Sequence, residues 1–161
     1  WLATVGRLDQ ASEGLILFTN DTAWAQRILD PASHLPKIYH VQVSRLLSED
    51  EVAQLQHGVV LDDGVFARAA AVRVLRSGEK NCWLEMVLHE GINRQIRRML
   101  AVLDTATPAH PCARRTRAAC PAEVLRLIRV AIGPVALGTL PKGQGRPLTA
   151  DELTQMAHKI A

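Results

Sequence analysis

No apolar run in these 161 residues approaches the roughly 20 needed to span a bilayer, so no membrane-spanning helix is expected among them. Cysteine is scarce: Cys82, Cys112 and Cys120 cannot complete a disulfide set, and a reducing, cytoplasmic setting is expected. The opening at Trp1 lacks the basic, apolar and small-residue succession of a secretory signal. It also lacks an initiator methionine, so a fragment is expected. Glycine-rich phosphate loops are missing, GxGxxG among them, and no nucleotide cofactor is expected. His89-Glu90-Gly91 is not an HExxH, and no serine sits in a G-x-S-x-G elbow. His110, Cys112 and Cys120 are spaced His-x-Cys-x7-Cys, without the tight pairs of structural zinc sites, so no metal is expected either. Aromatics make up only 4% of the chain, and Tyr39 is its single tyrosine.

What is present suits one globular domain with a sizeable core: 48% hydrophobic and 22% charged residues. The net charge of +3 is unevenly spread. Residues 1–92 carry eight basic and twelve acidic groups, whereas residues 93–129 carry eight arginines against Asp104 and Glu123. Guanidinium groups grip phosphates in bidentate fashion, so an all-arginine block fits a phosphate-rich partner such as nucleic acid. A solvated helix face with a basic loop is the plainer alternative.

Local patterning predicts mixed elements. The apolar run from Leu15 to Phe18 reads as a buried strand. Asp21 can cap a helix over residues 22–29 that stops before Pro31. "KIYHVQV", residues 37–43, alternates like a strand. "SEDE" from Ser48 has capping-box spacing, and its helix should end at Gly58. A strand and a turn at Asp63-Gly64 follow, then strands near 70–75 and 82–88. In "EGINRQIRRMLAVL", Ile92, Ile96, Met99, Leu100 and Leu103 make one apolar stripe. Arg97 flanks that stripe, while Arg94 and Arg98 face solvent or phosphate. "VLRLIRVAIGPV" reads as a mostly buried strand carrying Arg126 and Arg129, and "TADE" from Thr149 opens a last helix. Without a strict βαβ rhythm, this argues for an α+β domain around a mostly antiparallel sheet flanked by helices. Residues 104–123 fit nothing: they hold three prolines and no apolar period, as a flexible arm or insertion would.

Taken singly, each candidate residue has a plain role. Asp9, before Ala-Ser-Glu-Gly, suits a turn. Tyr39 suits packing in a half-buried strand, or stacking on an extracted base. Arg97 suits an exposed helix position.

The four motifs "GRLDQASEGLILFTND", "KIYHVQV", "EGINRQIRRML" and "LRLIRVAIGPVALGTLPKGQGRPLT", in this order, closely resemble the RsuA-like branch of the pseudouridine synthases. The resemblance covers nearly the whole chain and implies isomerisation of a specific uridine in ribosomal RNA, 23S rather than 16S. No cofactor or metal takes part, and a cytoplasmic monomer is implied. It makes Asp9 the nucleophile toward the ribose C1′, or the aid to glycal formation. Tyr39 becomes the residue that stacks on the base, and Arg97 the basic partner of Asp9 that would keep its carboxylate ionised. Arg7 would enter the space left by the flipped nucleotide, and Leu127 would be the apolar packing residue of the last motif, on the RNA-binding side. Asn93, Arg94, Arg98 and Arg129 would grip RNA. Two departures from the family stand out. The earlier Lys-Pro-x-Gly strand and the appended S4 domain of many members are absent, so residues 1–161 are expected to be a partial, N-terminally truncated catalytic domain. The short turn after "RRML" is replaced by the segment 104–123. The alternative to an enzyme is a catalytically impaired RNA-binding remnant, or a ribosome-associated RNA-binding protein.

Overall fold

The structure, a computed structural model, describes residues 1–103 and 121–160. The first part comprises β1 (Ala3–Val5), β2 (Glu13–Gly14), β3 (Leu17–Thr19), α1 (Thr22–Leu29), β4 (Lys37–Val43), α2 (Glu49–His57), β5 (Val59–Val60) and β6 (Phe66–Ala67). Next come β7 (Ala71–Ser77), β8 (Cys82–Leu88), α3 (Gln95–Ala101), β9 (Val124–Ile132), β10 (Val135–Ala136) and α4 (Ala150–Lys159). The expected segment 104–123, with His110, Cys112, Cys120 and three of its arginines, lies outside the described residues except for 121–123.

The domain is α+β, as patterning predicts. Its main sheet runs in the order β10-β9-β4-β8-β7, each neighbour antiparallel, and β2 joins β9 in parallel. The central strands hold because their side chains alternate. Val41, Val43, Cys82, Leu84, Met86 and Leu88 all turn to one face and are buried there. On the other face, Glu85 of β8 joins His40 of β4 at 3.3 Å and Arg73 of β7 at 2.9 Å.

Helix ends follow their sequence signals. Asp21 accepts from the Trp24 amide and starts α1, and Asp30 ends it just before Pro31. Ser48 and Thr149 each form the reciprocal capping box with Glu51 and Glu152. Glu51 also meets Arg45 at 2.7 Å, an ion pair in which both side chains are almost fully buried.

Two expectations are corrected. Of the apolar run at 15–18, only Leu17 and Phe18 enter a strand, β3, and this pairs with β1 in a separate two-stranded ribbon, leaving Phe18 exposed. The third helix starts at Gln95 rather than near Ile92. Arg94 precedes it in the left-handed conformation, φ 49°, and breaks the helical path.

The buried side chains form two clusters. The larger lies between the sheet and α2 and α3, around Val41, Leu55, Leu84, Met86, Met99 and Leu100. The smaller gathers Val5, Leu17, Ile28, Leu35, Val135 and Met156 from the ribbon, α1, β10 and α4.

Candidate active site

A cleft of about 1060 Å³ draws its walls from both clusters, with Val5 and Ile28 on one side and Leu88, Ile96 and Leu127 on the other. Asp9 reaches it from the loop between β1 and β2. The Ser12 amide donates to the Asp9 carbonyl at 2.9 Å, so the backbone there is the turn its sequence suggests. The residue nonetheless lines the cleft. The main chain of Asp9 thus makes a turn while the residue stands at the cleft.

The loop is tied to β9 by several bonds. Glu13 and Gly14 pair in parallel with Ile128 and Arg129, and the Leu15 amide donates to the Arg129 carbonyl at 2.8 Å. Gly14 sits at φ +109°, and a Cβ there would stand 2.3 Å from the Arg129 carbonyl oxygen. Only glycine fits so close a crossing. Arg129 returns the contact, its Nε donating to the Leu15 carbonyl at 2.8 Å and its Nη1 to that of Arg7 at 3.5 Å. Arg126 clasps the Glu13 carboxylate at 2.6 Å outside the cleft.

Tyr39 lies half-buried on β4, directly across from Arg129 on β9 and Met86 on β8. Leu127, next to Val41 and 6% exposed, forms part of the apolar lining. Arg97 reaches the same cleft from α3. It does not pair with Asp9: its Nη2 donates to the Ala11 carbonyl at 2.7 Å and its Nη1 to Val124 at 3.1 Å. Among the described residues Asp9 has no ion-pair partner within 4.0 Å. Arg97 thus fixes the loop that carries Asp9 through the loop's backbone, because a helix-borne guanidinium reaches the nearer carbonyls first. Arg7, Asn93 and Arg94 line the cleft and are exposed.

Arg98 stands elsewhere. It grips Asp62 at 2.6 Å and Asp63 at 2.5 Å, in the turn joining β5 to β6, and it does not line the cleft. These carboxylates raise its pKa, and its guanidinium in turn lowers that of Asp63. Its charge is already met within the protein.

Sequence reasoning missed Lys37, Ser12 and Gln95, which also line the cleft. Lys37 is legible in hindsight, since it lies two residues before Tyr39 and therefore on the same strand face. Its ammonium is half-buried and only loosely held, at 3.4 Å from the Leu35 carbonyl and 3.5 Å from that of His89. Burial, and then the charge of Arg129, lower its pKa.

Buried polar atoms are nearly always satisfied, and those that are not need an explanation. Among the described residues four side-chain atoms are buried without a partner: Ser12 Oγ, Gln95 Oε1, Arg97 Nε and Arg129 Nη2. All four residues line this cleft. A carboxylate, a phenol and several cations around an apolar floor, with unused hydrogen-bonding capacity, can receive a planar polar group and stabilise charge on it. No cluster of three or more metal-ligating side chains occurs among the described residues.

The family model for RNA pseudouridylate synthases matches residues 2–102. An uncharacterised RNA pseudouridine synthase of Aquifex aeolicus is 37% identical over 94% of this chain and 54% of its own length. A ribosomal large subunit pseudouridine synthase E of Xanthomonas campestris is 37% identical over 88% of this chain and 74% of its own. The chain therefore spans between about half and three quarters of these two relatives. A crystal structure of a pseudouridylate synthase superimposes with a TM-score of 0.76 at 28% identity, covering 96% of this chain and 59% of that one. An H/ACA ribonucleoprotein bound to a substrate RNA shares the fold, with a TM-score of 0.61 at 16% identity.

Proposed function

Because the chain belongs to the RNA pseudouridylate synthase family, we propose that it converts one uridine of ribosomal RNA to pseudouridine, in the large subunit. The observation that carries this is convergence: Asp9, Tyr39 and Arg97 meet at one cleft, although Arg97 bonds a loop residue 86 positions away in the chain. Relatives named as large-subunit synthases favour 23S over 16S RNA. A ribosomal substrate implies a cytoplasmic reaction, and a monomer is proposed with it.

The proposed chemistry uses the protein's own groups. Asp9 attacks the ribose C1′, or assists glycal formation, as the glycosidic bond breaks. Tyr39 stacks on the freed uracil and Leu127 packs beneath it, so the ring can turn without leaving. The base rejoins through C5, and the C5 proton is lost. Arg97 acts as a positioning residue, through Ala11. Arg7 and Arg94, exposed at the cleft, meet phosphates or the vacated stack. Asn93 contributes hydrogen bonds there, and the buried Arg129 acts on the base end of the site.

The test is Asp9→Asn in the intact enzyme, with tritium release from 5-tritiated uridine in ribosomal RNA as the assay. Turnover should vanish while the melting temperature and RNA affinity persist. Retention of more than a few per cent of turnover would reduce Asp9 to a turn residue and favour an RNA-binding remnant.

A further inference from the structure

The cations of the cleft fall into two sets. Arg7 and Arg94 are exposed and can meet hydrated phosphates. Lys37 is half-buried and Arg129 is 5% exposed, so both belong to the floor. Tyr39 stands between them: Arg129 is its neighbour across the strand pair, and Lys37 lies two residues back on the same face, about 6.6 Å along the strand. Neither cation has a carboxylate within ion-pair distance among the described residues. Arg129 Nη2 is buried without a partner there, and the two bonds of Lys37 are long enough to exchange. Burial, and then the neighbouring charge of Arg129, disfavour the ammonium of Lys37 and lower its pKa. Such an arrangement is relieved when an anion forms between them.

We infer that Lys37, backed by Arg129, stabilises the negative charge that develops on uracil when its glycosidic bond breaks. This rests on the reading of the site given above. The N1–C1′ electron pair leaves with N1, and either C1′ accepts the Asp9 carboxylate or Asp9 takes the C2′ proton to give the glycal and returns it to C2′ when C5 bonds C1′. Uracil then carries one negative charge, spread over N1, O2 and O4. Attack of C5 on C1′ forms the new bond and releases Asp9. The C5 proton departs to a base and N1 regains one, so the product is an isomer and no co-reactant is consumed. A phosphodiester keeps its charge throughout and would draw equally on the cations before and after. The uracil anion exists only at the summit of the reaction, where preorganised charge in a water-poor site acts most strongly. Position separates the two uses, because the stacked base reaches the floor while the backbone stays at the mouth.

The test measures kcat, KM and RNA affinity of the intact enzyme with Lys37→Met and Lys37→Arg. Lys37→Met should lower kcat about 10²-fold, with KM and RNA affinity within about threefold of the parent. Lys37→Arg should recover most of kcat, because charge returns to the floor. Should Lys37→Met fail to fold, Lys37→Gln carries the same expectation. An unchanged kcat with raised KM and a shallower salt dependence would overturn the inference and make Lys37 a phosphate contact. Failure here is distinct from failure of the parent reading: Asp9→Asn inactive with Lys37→Met at full kcat sinks only the role of Lys37, whereas an active Asp9→Asn sinks both.

Discussion

The two clusters of buried side chains are held by different means. The larger rests on β4, β7 and β8, three neighbouring seven-residue strands, with helices laid across one face. Each residue there is placed by neighbours close in a regular ladder. The smaller is assembled mostly from strands of two or three residues, α1, α4 and loop positions, with Ile132 from the end of β9. Its registry depends on a few bonds to distant chain, chiefly those between the Asp9 loop and β9. The cleft lies where the well-braced region meets the loosely braced one. A stiff floor and an adjustable wall suit the proposed reaction, in which the site would receive a nucleotide and turn its base.

Breaking the larger cluster should cost most. Arg45→Ala leaves the Glu51 carboxylate buried without its guanidinium, and a loss of about 4 kcal/mol is expected. Urea unfolding measures it. An effect under about 1 kcal/mol would mean that water reaches Glu51 and that this region is not the rigid one.

The seam comes next. Gly14→Ala places a Cβ against the Arg129 carbonyl and forces β2 away from β9. The expected loss is roughly 3 kcal/mol, from left-handed strain plus the broken crossing. Activity should fall further than stability explains, because Asp9 rides on the displaced loop. Single-turnover rates under conditions where the variant is fully folded separate the two effects.

Arg97→Ala removes the bonds to Ala11 and Val124 but strands no buried carboxylate, so about 2 kcal/mol is expected rather than the cost of a broken buried ion pair. Arg97→Lys should restore little, since one ammonium cannot reach both carbonyls as the planar fork does. A near-complete rescue by lysine would show that charge, not reach, is what Asp9 requires of this position.

These expectations show what patterning makes legible. Strand β4, the caps at Asp21, Ser48 and Thr149, and the turn at Gly64 follow from residues within one or two turns of chain. Asp9, Tyr39 and Arg97 all line one cleft. The parallel pairing of β2 with β9 has no local signature, because two residues carry no period and their partner is far away. The start of α3 was misplaced for a related reason. Apolar spacing includes Ile92, but a left-handed Arg94 interrupts the backbone without disturbing that spacing. The bonding of Arg97 escaped as well, since sequence fixes which face a side chain takes and not which acceptor it finds first.

The smallest effect belongs to α4, which adds Met156 to the smaller cluster. Arg146, and then the Thr149 amide, lower the pKa of Glu152 from 4.5 to about 2. A depressed carboxyl pKa contributes stability above pH 4.5 that is lost as pH falls toward 2. Because Arg146 is well exposed, solvent screening leaves the pair only a small contribution. Glu152→Gln should flatten the pH dependence of stability across that window in acid-titrated urea melts. An unchanged slope would assign acid sensitivity to other carboxylates.

The long reach from Arg129 to Leu15, 114 residues, has a bearing on how the protein comes into being. A chain emerging from the ribosome exposes the Asp9 loop early and β9 only near the end of the described sequence. Until β9 docks, the loop has no strand to pair with, and Arg129 is not there to hold the Leu15 and Arg7 carbonyls. The larger cluster can gather from β4, β7, β8 and α3 during that wait, whereas the loop cannot settle against β9. Closing so distant a contact is also the slow step of a fold of this kind. The Asp9 loop therefore waits on β9, and a nascent chain that stops short of Val124 would lack the strand pairing and the Arg129 bonds that hold it.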